Sequence, residues 1–450
     1  MDLKDVKNLI ASKGIQFVDF KVVDLWGRWR HVTIPASDFG EATLSEGLGF
    51  DASNFGFKTT ESSDLVLIPD LDREFIDPNA DVPTLSFVGD VFEATTFEPF
   101  ALDPRAVMRR AEASLCKAAG ATNSLLAPEY EFFIFEEALY DVSPNSVSFR
   151  VDTPEGFWNS SVGGHPLIEQ KQGYHQTPPA DHFFNMRNEI VQILKDMGAG
   201  IKYHHHEVGT SQFELEVHLG DALKMADEAL LIKYIVRSIA RKYGYVATFM
   251  PKPLYMEAGN GFHVHQTLIN GDTNLFYSAD DPLRLSEVAY HYIGGVLRHL
   301  RSMTVLTNPS TNSYKRLVTG YEAPTTANYA PGNRAAAIRI PQYVRDPAKL
   351  RVEVRTADAT CNPYLAFAAM LMAARDGITS RIDPRNAKFP DLPRDLWDAA
   401  ACLEADLGFL TADGVFPPAL LETWISAKRK EHALVSSIPH PSEFKLYFDL

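Results

Sequence analysis

Pairs of ionisable residues two positions apart lie in apolar stretches of this chain, and they constrain its fold more than any other feature. The pairs are Glu129 with Glu131, Glu214 with Glu216, His263 with His265, and Glu353 with Arg355. In a β-strand, side chains at positions i and i+2 point to the same face of the sheet. Each pair therefore presents two polar groups to one side, while Tyr130, Val264 and Val354 suit a buried opposite side.

The sequence around Glu129 indicates a buried strand, because Phe-Phe-Ile-Phe follows Glu131 directly. Two carboxylates on one buried face repel each other unless a cation or an arginine lies between them. Several such strands predict a funnel for hard divalent cations and an anionic ligand, with a solvated strand face as the alternative. Ligands rich in oxygen, with little histidine and no cysteine, suit Mg²⁺ or Mn²⁺ better than Zn²⁺.

The charge balance restricts the classes of partner. The 450 residues carry a formal net charge of −15, which argues against nucleic-acid binding as the main function. Cys116, Cys361 and Cys402 lack CxxC spacing and fit a reducing compartment without disulfides. No apolar run approaches the roughly 20 residues of a membrane span, and the acidic amphipathic N-terminus differs from a signal peptide. The sequence therefore predicts a cytoplasmic protein.

Turn and capping signals along the chain predict an α+β fold in two domains. Residues 15–35 resemble a β-hairpin, and a loop-rich α+β stretch follows. Asp103 and Pro104 form a typical helix start, with Asp as the N-cap and Pro at the first helical position. We therefore expect domains at 1–102 and 103–450, the second with mostly antiparallel strands that bear the ligands and helices packed behind them.

Hydrophobic periodicity predicts the elements of the second domain. The predicted helices are 104–119, 181–197, 221–243, 284–301 and 363–379. The predicted strands are 129–135, 201–206, 212–218, 246–250, 262–269, 336–341 and 350–356. Two long segments, 140–180 and 307–334, predict loops that carry function.

Arginines among small or apolar residues indicate an anion site. Arg334 follows Asn333, and Arg339 stands in Ile-Arg-Ile-Pro. Such arginines usually bind a carboxylate or phosphate through two hydrogen bonds, although dispersed surface ion pairs are the ordinary alternative. Together with the carboxylates, and without a Ser/His/Asp or Cys/His setting, they suggest electrostatic catalysis of phosphoryl transfer. No GxxxxGK[ST] motif occurs, so the nucleotide site is of another kind.

An ordered series of motifs resembles the glutamine synthetase family, type I, over nearly the whole chain. The motifs are Phe50-Asp51 with Ser53, EYEFF at 129–133, HHEV at 205–208, ATFMPKP at 247–253, GFHVHQ at 261–266, NSYKRL at 312–317, GYEAP at 320–324, Asn333-Arg334, IRIP at 338–341, and RVEVR at 351–355 through NPYL at 362–365. Each one alone could occur by chance, but all of them in this order are highly specific.

The resemblance implies an N-terminal β-grasp domain, a C-terminal catalytic domain, and a homo-dodecamer of two hexameric rings with active sites shared between subunits. It also implies two or more Mg²⁺ or Mn²⁺ ions per active site, with ATP as co-substrate. The metal ligands it implies are Glu131, Glu207 and Glu214 for one ion, and Glu129, His263 and Glu353 for the ion near ATP.

The resemblance further assigns roles around the substrates. The implied catalytic residues are Asp51 for ammonium, Glu322 on a closing flap, and Arg334 and Arg339 facing the phosphate. The implied substrate-binding residues are Ser53, Tyr174, Gly259, Arg316 and Arg355, and the implied ATP-binding residues are His265, Thr267, Arg339 and Arg351. The implied reaction joins ammonia to the γ-carboxylate of L-glutamate through γ-glutamyl phosphate, giving glutamine, ADP and phosphate.

Some positions near the substrates depart from the family pattern. They are Ala258 in place of an asparagine that contacts glutamate, Ala52 and Asn54 after Asp51, Ser211 before Gln212, and 328–332 in place of a Trp-Ser segment. Three functions therefore stay open: a glutamate–ammonia ligase, a γ-glutamyl ligase for an organic amine (alkylamine or polyamine) or a relative with another carboxylate substrate, and a non-enzymatic relative. The six candidate metal ligands argue against the third, and Asp51 with Glu322 favours the first.

Overall fold

A mixed five-stranded sheet forms the N-terminal part of the computed structural model, which describes residues 1–161 and 166–450. Its elements are α1 (Leu3–Lys13), β1 (Phe17–Val23), β2 (Trp29–Pro35), α2 (Glu41–Ser45), β3 (Leu48–Asp51), β4 (Asp64–Ile76) and β5 (Thr84–Glu93). The strand order is β2-β1-β5-β4-β3. β1 and β2 form the predicted antiparallel hairpin, and β1 also pairs in parallel with β5.

The remainder contains a ten-stranded sheet backed by helices and a separate two-stranded sheet. Its elements are α3 (Pro104–Ala119), β6 (Asn123–Phe135), β7 (Glu137–Ser143), β8 (Ser146–Asp152), α4 (Phe184–Asp196), β9 (Ile201–His206), β10 (Gln212–Val217), β11 (Gly220–Asp221), α5 (Ala222–Lys242), β12 (Val246–Thr248), β13 (Val264–Asn270), β14 (Thr273–Asn274), α6 (Glu287–Arg298), α7 (Leu300–Thr307), α8 (Ser313–Arg316), β15 (Tyr329–Pro331), β16 (Ile338–Ile340), β17 (Val352–Val354), α9 (Pro363–Thr379), α10 (Leu396–Glu404), α11 (Gly408–Thr411), α12 (Pro418–Ser436) and α13 (Pro441–Tyr447). The ten-stranded sheet has the main order β15-β16-β17-β13-β6-β10-β9, and β7 and β8 form the two-stranded sheet.

Antiparallel pairing dominates this second sheet, as predicted. β6 lies at its centre and is buried along most of its length, with β13 on one side and β10 on the other. Glu131 of β6 stands opposite Glu214 of β10, and Glu129 stands opposite Glu216. Because residues directly opposite in an antiparallel pair share a face, these registers gather four carboxylates on one side of the sheet.

The turn of the N-terminal hairpin is fixed against the start of α9. The Asn362 side chain caps α9 and donates from Nδ2 to the carbonyls of Asp24 (3.3 Å) and Leu25 (3.0 Å). Gly27 in the same turn has φ of 80°, and a Cβ there would lie 2.7 Å from Asn362 Cα. Only glycine fits this close approach, so the turn has a single well-defined position.

Two predicted helices have different bounds in the structure. α4 begins at Phe184 instead of Asp181, because the Asp181 carboxylate is buried in an ion pair with Arg187 (2.6 and 2.7 Å) and does not cap the helix. The predicted helix 284–301 starts three residues later and is followed by a second helix, α7, with His299 between the two.

The two predicted loops contain regular elements. The segment 140–180 includes most of the β7–β8 hairpin, whose apolar side chains such as Leu139 and Tyr140 are exposed and so gave no core-like pattern. Residues 162–165 of this predicted loop lie outside the described residues. The segment 307–334 contains α8 and β15.

A histidine between two carboxylates links stability to pH. His299 Nε2 lies 2.9 Å from Asp376 Oδ2, and its Nδ1 lies 2.7 Å from Asp406 Oδ2. Burial alone disfavours the charged ring, but hydrogen bonds to Asp376 and Asp406 outweigh it and raise the pKa of His299. Because its pKa is raised in the folded state, His299 stabilises the fold by its full amount below the unfolded pKa of about 6.5. This contribution is lost as pH rises through the folded pKa.

We therefore expect the stability of the wild-type protein relative to His299→Gln to decrease as pH rises above about 6.5. The advantage amounts to ~1.4 kcal/mol for each pKa unit of upward shift. Thermal unfolding of both proteins from about pH 6 to about pH 9 measures it. A stability gap that stays constant across this range would contradict the charge on His299.

Candidate active site

A cavity of about 770 Å³ contains most of the residues that the sequence placed in a site. Those in its wall are Glu129, Glu131, Tyr174, Glu207, Glu214, Gly259, His263, Arg316, Glu322, Arg334, Arg339 and Arg355. Asp51, Ser53, His265, Thr267, Arg351 and Glu353 are not part of the wall. The ligand-bearing strands and the arginine-rich segments therefore meet in one place.

The first predicted metal group lies across β6 and β10. Glu131 and Glu214 are cross-strand partners, and Glu207 follows β9. Burial, and then the charge of Glu131, raises the pKa of Glu207 to about 7. Burial and the charges of Glu129 and Glu207 raise the pKa of Glu214 well above its usual range. These carboxylates ionise together only when positive charge offsets them, so they fit a divalent cation with oxygen ligands.

The second predicted metal group lies where β6, β13 and β17 adjoin. Glu129 Oε2 lies 2.9 Å from His263 Nδ1, and Glu129 Oε1 lies 2.8 Å from His265 Nε2. Ligand atoms of Glu129, His265 and Glu353 lie within 4.8 Å of one another. The structure thus brings His265 into this group beside the predicted His263. Burial opposes ionisation of Glu129, but the two imidazoles outweigh it and hold the pKa of Glu129 well below its usual range.

Sequence reasoning did not propose a third group, formed by His205, Glu214 and Glu216. Their ligand atoms also lie within 4.8 Å of one another. The alternation of Glu214 and Glu216 indicated their common face. The register that sets His205 opposite Glu214 depends on how β9 and β10 turn, and no local pattern in the sequence specifies it.

Arginines supply the positive charge that the carboxylates need. Arg339 and Arg355 both donate to the fully buried Glu353. Arg316 is buried and donates to the carbonyls of Thr356 (2.8 Å) and Ala357 (3.1 Å). Because Glu353 is shared by two arginines, their guanidinium groups are fixed in position and keep donors for an anionic ligand.

Arg334 has a different environment. Its side chain is exposed, it is part of the cavity wall, and within the described chain no carboxylate lies within 4.0 Å of it. An arginine without an acidic neighbour is available to a phosphate or carboxylate ligand.

Two glycines of the GNG segment allow close packing around the site. A Cβ at Gly259 would lie 2.5 Å from the Pro251 carbonyl, and one at Gly261 would lie 2.5 Å from His263 Nε2 and 2.8 Å from Glu131 Oε1. The Gly261 N–H donates to Glu131 Oε2 (2.8 Å). Glycine is therefore required where this segment passes the carboxylates.

Of the six residues outside the cavity wall, His265 and Glu353 belong to the second metal group, and the other four lie elsewhere. Asp51 and Ser53 belong to the N-terminal part; Asp51 is exposed, and the Ser53 N–H donates to it (2.9 Å), which lowers the pKa of Asp51. Thr267 is buried and donates to Asn274 (3.2 Å), while Arg351 donates to Tyr343, a residue of the cavity wall.

The segment around Glu322 is attached to the site by a neighbour that sequence reasoning did not single out. The ammonium groups of Lys252 and Lys171 lie 3.7 and 4.1 Å from the centre of the Tyr321 ring. Lys171 also donates to the Gly320 carbonyl (3.4 Å). Glu322 has φ of 55°, which is uncommon for a residue other than glycine. The cation–π contacts hold this strained segment over the cavity.

The fold and the cavity are those of a protein suited to bind divalent cations and an anionic ligand over a mostly antiparallel sheet. Comparison with known proteins agrees. The family model "Glutamine synthetase, catalytic domain" matches residues 101–447, and "Glutamine synthetase, beta-Grasp domain" matches residues 14–94. The chain belongs to the glutamine synthetase family.

Individual relatives match over their full length. A glutamine synthetase of Methylococcus capsulatus is 41% identical over 100% of both chains, and one of Aquifex aeolicus is 40% identical over 99% of both. The solved Plasmodium falciparum glutamine synthetase is 25% identical, with a TM-score of 0.93 over 99% of both chains. A solved structure of apo GmaS is 29% identical, with a TM-score of 0.81 over 100% of both.

These findings confirm the predicted family, the α+β class, and the β-grasp and catalytic domains. They also make the protein an enzyme of the carbon–nitrogen ligase class, whose family uses ATP and divalent metals. The boundary between residues 102 and 103 and the individual residue roles stay predictions. Within the described chain, no helix is long and apolar enough to cross a membrane.

Proposed function

We propose that this protein ligates ammonia to the γ-carboxylate of L-glutamate at the expense of ATP, through γ-glutamyl phosphate. One observation carries this proposal: buried carboxylates suited to metal ions line the same cavity as Arg316, Arg334, Arg339 and Arg355. A phosphoryl group moving between two anions needs positive charge at both, and an incoming ammonium needs negative charge beside the acceptor.

Each group of side chains supplies one part of this reaction. Arg316 and Arg355 bind glutamate carboxylates, while Arg334 and Arg339 stabilise charge on the transferred phosphoryl group. The metal ligands are Glu131, Glu207 and Glu214 for one ion, and Glu129, His263 and Glu353 for the other. Bound Mg²⁺ or Mn²⁺ neutralises phosphate charge and orients the reactants. Glu322 closes the cavity so that ammonia, and not water, reaches the acyl phosphate.

Asp51 fits an active site shared between subunits. It is exposed and is absent from the cavity wall of its own chain. We place it at the cavity of a neighbouring subunit in a homo-dodecamer of two rings, where it binds ammonium and removes a proton. His265, Thr267 and Arg351 serve the ATP side, and Ser53, Tyr174 and Gly259 the glutamate side. A cytoplasmic location suits an ATP-dependent enzyme whose three cysteines form no disulfide.

A second candidate is ligation of an organic amine to glutamate. Ala258 is part of the cavity wall where the family pattern has asparagine, so the wall has a methyl group in place of an amide. The similarity to GmaS shows that the same fold occurs in a solved protein of another name. Ammonium stays the first candidate, because Asp51 and Glu322 suit a small cation.

A panel assay separates these functions. The purified protein is incubated with ATP, Mg²⁺ or Mn²⁺, glutamate and either ammonium, methylamine or a polyamine, and ADP and amide products are measured. We expect the highest kcat/KM with ammonium. A much higher value for an organic amine would favour the second candidate, and no turnover with glutamate and any amine would exclude both.

The Tyr321 contacts predict a coupling defect. Tyr321→Leu removes the ring that two ammonium groups approach, at a cost of about 1–2 kcal/mol to the closed segment. We expect the variant to form several-fold less amide product for each ATP cleaved, because water reaches the acyl phosphate. Tyr321→Phe keeps the ring and should couple like the wild type. Equal coupling in both variants would show that the ring does not hold the segment.

A further inference from the structure

A second cavity, of about 950 Å³, contains an unusual number of basic side chains. Its wall includes the hairpin turn 26–29, the second half of α5, and part of α12. Its charged residues are Arg28, Lys233, Arg237, Arg241, Lys428 and Glu431. Only one of these is acidic, although the chain as a whole has a net charge of −15.

Most of this positive charge has no acidic partner. Lys428 and Glu431 form an ion pair (2.8 Å) and offset each other. In the part of the chain that the structure describes, no carboxylate lies within 4.0 Å of Arg28, Arg237 or Arg241. The Lys233 ammonium is buried and donates to the Ala359 carbonyl (2.7 Å). Among the described residues, Arg28, Lys233, Arg237 and Arg241 therefore share one cavity, and none of them forms an ion pair within 4.0 Å.

The helix dipole of α5 does not explain why these basic residues lie together. The negative end of a helix dipole favours Arg241, in the last turn of α5, but the effect falls off within one turn. Lys233 and Arg237 lie further from that end, and Arg28 comes from the hairpin turn. Burial, with the charge of Arg237, lowers the pKa of Lys233 to about 8, so its ammonium form is disfavoured unless an anion is near.

The cavity has the character of a small-molecule site. Its volume lies in the range of about 300–1,000 Å³ that is common for ligand pockets. Trp26, Trp29, Tyr234 and Phe249 add aromatic surface to the wall. The hairpin turn is fixed by its contact with Asn362, so Arg28 projects from a rigid element.

We propose that this cavity is an anion-binding site, distinct from the active site, for a small polyanion with phosphate groups. Arginines bind phosphate oxygens through paired hydrogen bonds, and the aromatic side chains accept a base or another flat group beside the phosphates.

A chain of hydrogen bonds links the wall of this cavity to the active site. The Met250 carbonyl, at the cavity, accepts a hydrogen bond from Asn260 Nδ2 (2.9 Å). Asn260 in turn accepts from Gln212 Nε2 (3.1 Å), which also donates to Glu131 (3.2 Å). An anion bound beside Met250 therefore lies two side chains away from a predicted metal ligand.

Binding of inorganic tripolyphosphate, measured by calorimetry in metal-free buffer, tests the proposal. An Arg339→Gln background removes one phosphate contact of the active site and should keep the second-cavity binding. Adding Arg237→Gln and Arg241→Gln should weaken that binding at least tenfold. Both arginines are exposed, so the fold should persist, and thermal unfolding verifies this. The matched control is Arg394→Gln, an exposed arginine outside the cavity, which should bind like its parent.

Three binding results would overturn the proposal: loss of all binding in Arg339→Gln, affinity of the double variant within twofold of its parent, or an equal loss in Arg394→Gln. ATP and adenosine identify the ligand further. Equal affinity for ATP and tripolyphosphate assigns the site to the phosphate chain, and tighter binding of ATP assigns a base contact as well. A structure of the assembled enzyme soaked with tripolyphosphate gives an independent test, because carboxylates of a neighbouring subunit filling the cavity would exclude the anion.

Discussion

Glu131→Gln is expected to reduce kcat by about a thousandfold or more, which corresponds to at least ~4 kcal/mol of transition-state stabilisation. Glu131 stands in the centre of the carboxylate face, opposite Glu214 and next to Glu129. An amide is a poor ligand for a hard divalent cation compared with a carboxylate. The substitution therefore weakens binding of the ion that neutralises phosphate charge. Steady-state assays with ATP, glutamate and ammonium measure the loss.

The same substitution should not unfold the protein. Burial raises the pKa of Glu131, so its ionised form disfavours the folded state when no cation offsets it. Glutamine keeps an oxygen that accepts from the Gly261 N–H and from Gln212. In metal-free buffer, the thermal midpoint of the variant should therefore equal or exceed that of the wild type.

Glu136→Gln is the matched control for this experiment, because Glu136 directly follows β6 but is exposed. It should retain wild-type activity. Full activity of the wild type in excess chelator, or near-normal activity of Glu131→Gln, would refute the metal assignment.

The elements that the sequence predicted best are those with a strong local signal. α3 has the predicted bounds because Asp103 caps it and Gly120 ends it in the left-handed conformation. α9 likewise begins at Pro363, with Asn362 as its N-cap. The strand that bears Glu129 and Glu131 was identified from its apolar continuation, and it is the central strand of the large sheet.

Other features depend on contacts that are remote in sequence. Asp181 has the residue type of a helix cap, but Arg187 binds its carboxylate, and only the folded structure shows which contact prevails. The β7–β8 hairpin exposes apolar side chains such as Tyr140, so it lacks the half-buried alternation from which strands are recognised. His265, for which the resemblance implies a role on the nucleotide side, stands opposite Glu353 in the cross-strand register and lies 2.8 Å from Glu129. Such registers follow from the whole sheet and not from a local motif.

The position of Asp51 leads to the second large expected effect. Asp51 is on the N-terminal sheet and is absent from the cavity wall of its own chain, while Glu131 lies at the centre of the other sheet. If each cavity is completed by Asp51 of a neighbour, Asp51→Ala and Glu131→Gln damage different halves of a composite site. Each variant alone should have very low activity, because every one of its sites contains one defective half.

Mixed assemblies of the two variants should regain activity. In rings assembled at random from equal amounts, about a quarter of the sites combine an intact Asp51 from one chain with an intact Glu131 from its neighbour. We therefore expect recovery to about a quarter of wild-type activity after the variants are dissociated and reassembled together. Each variant reassembled alone is the control and should stay inactive. If the site were formed within one chain, no mixture could contain an intact site, so a mixture without recovered activity despite confirmed subunit exchange would contradict the shared cavity.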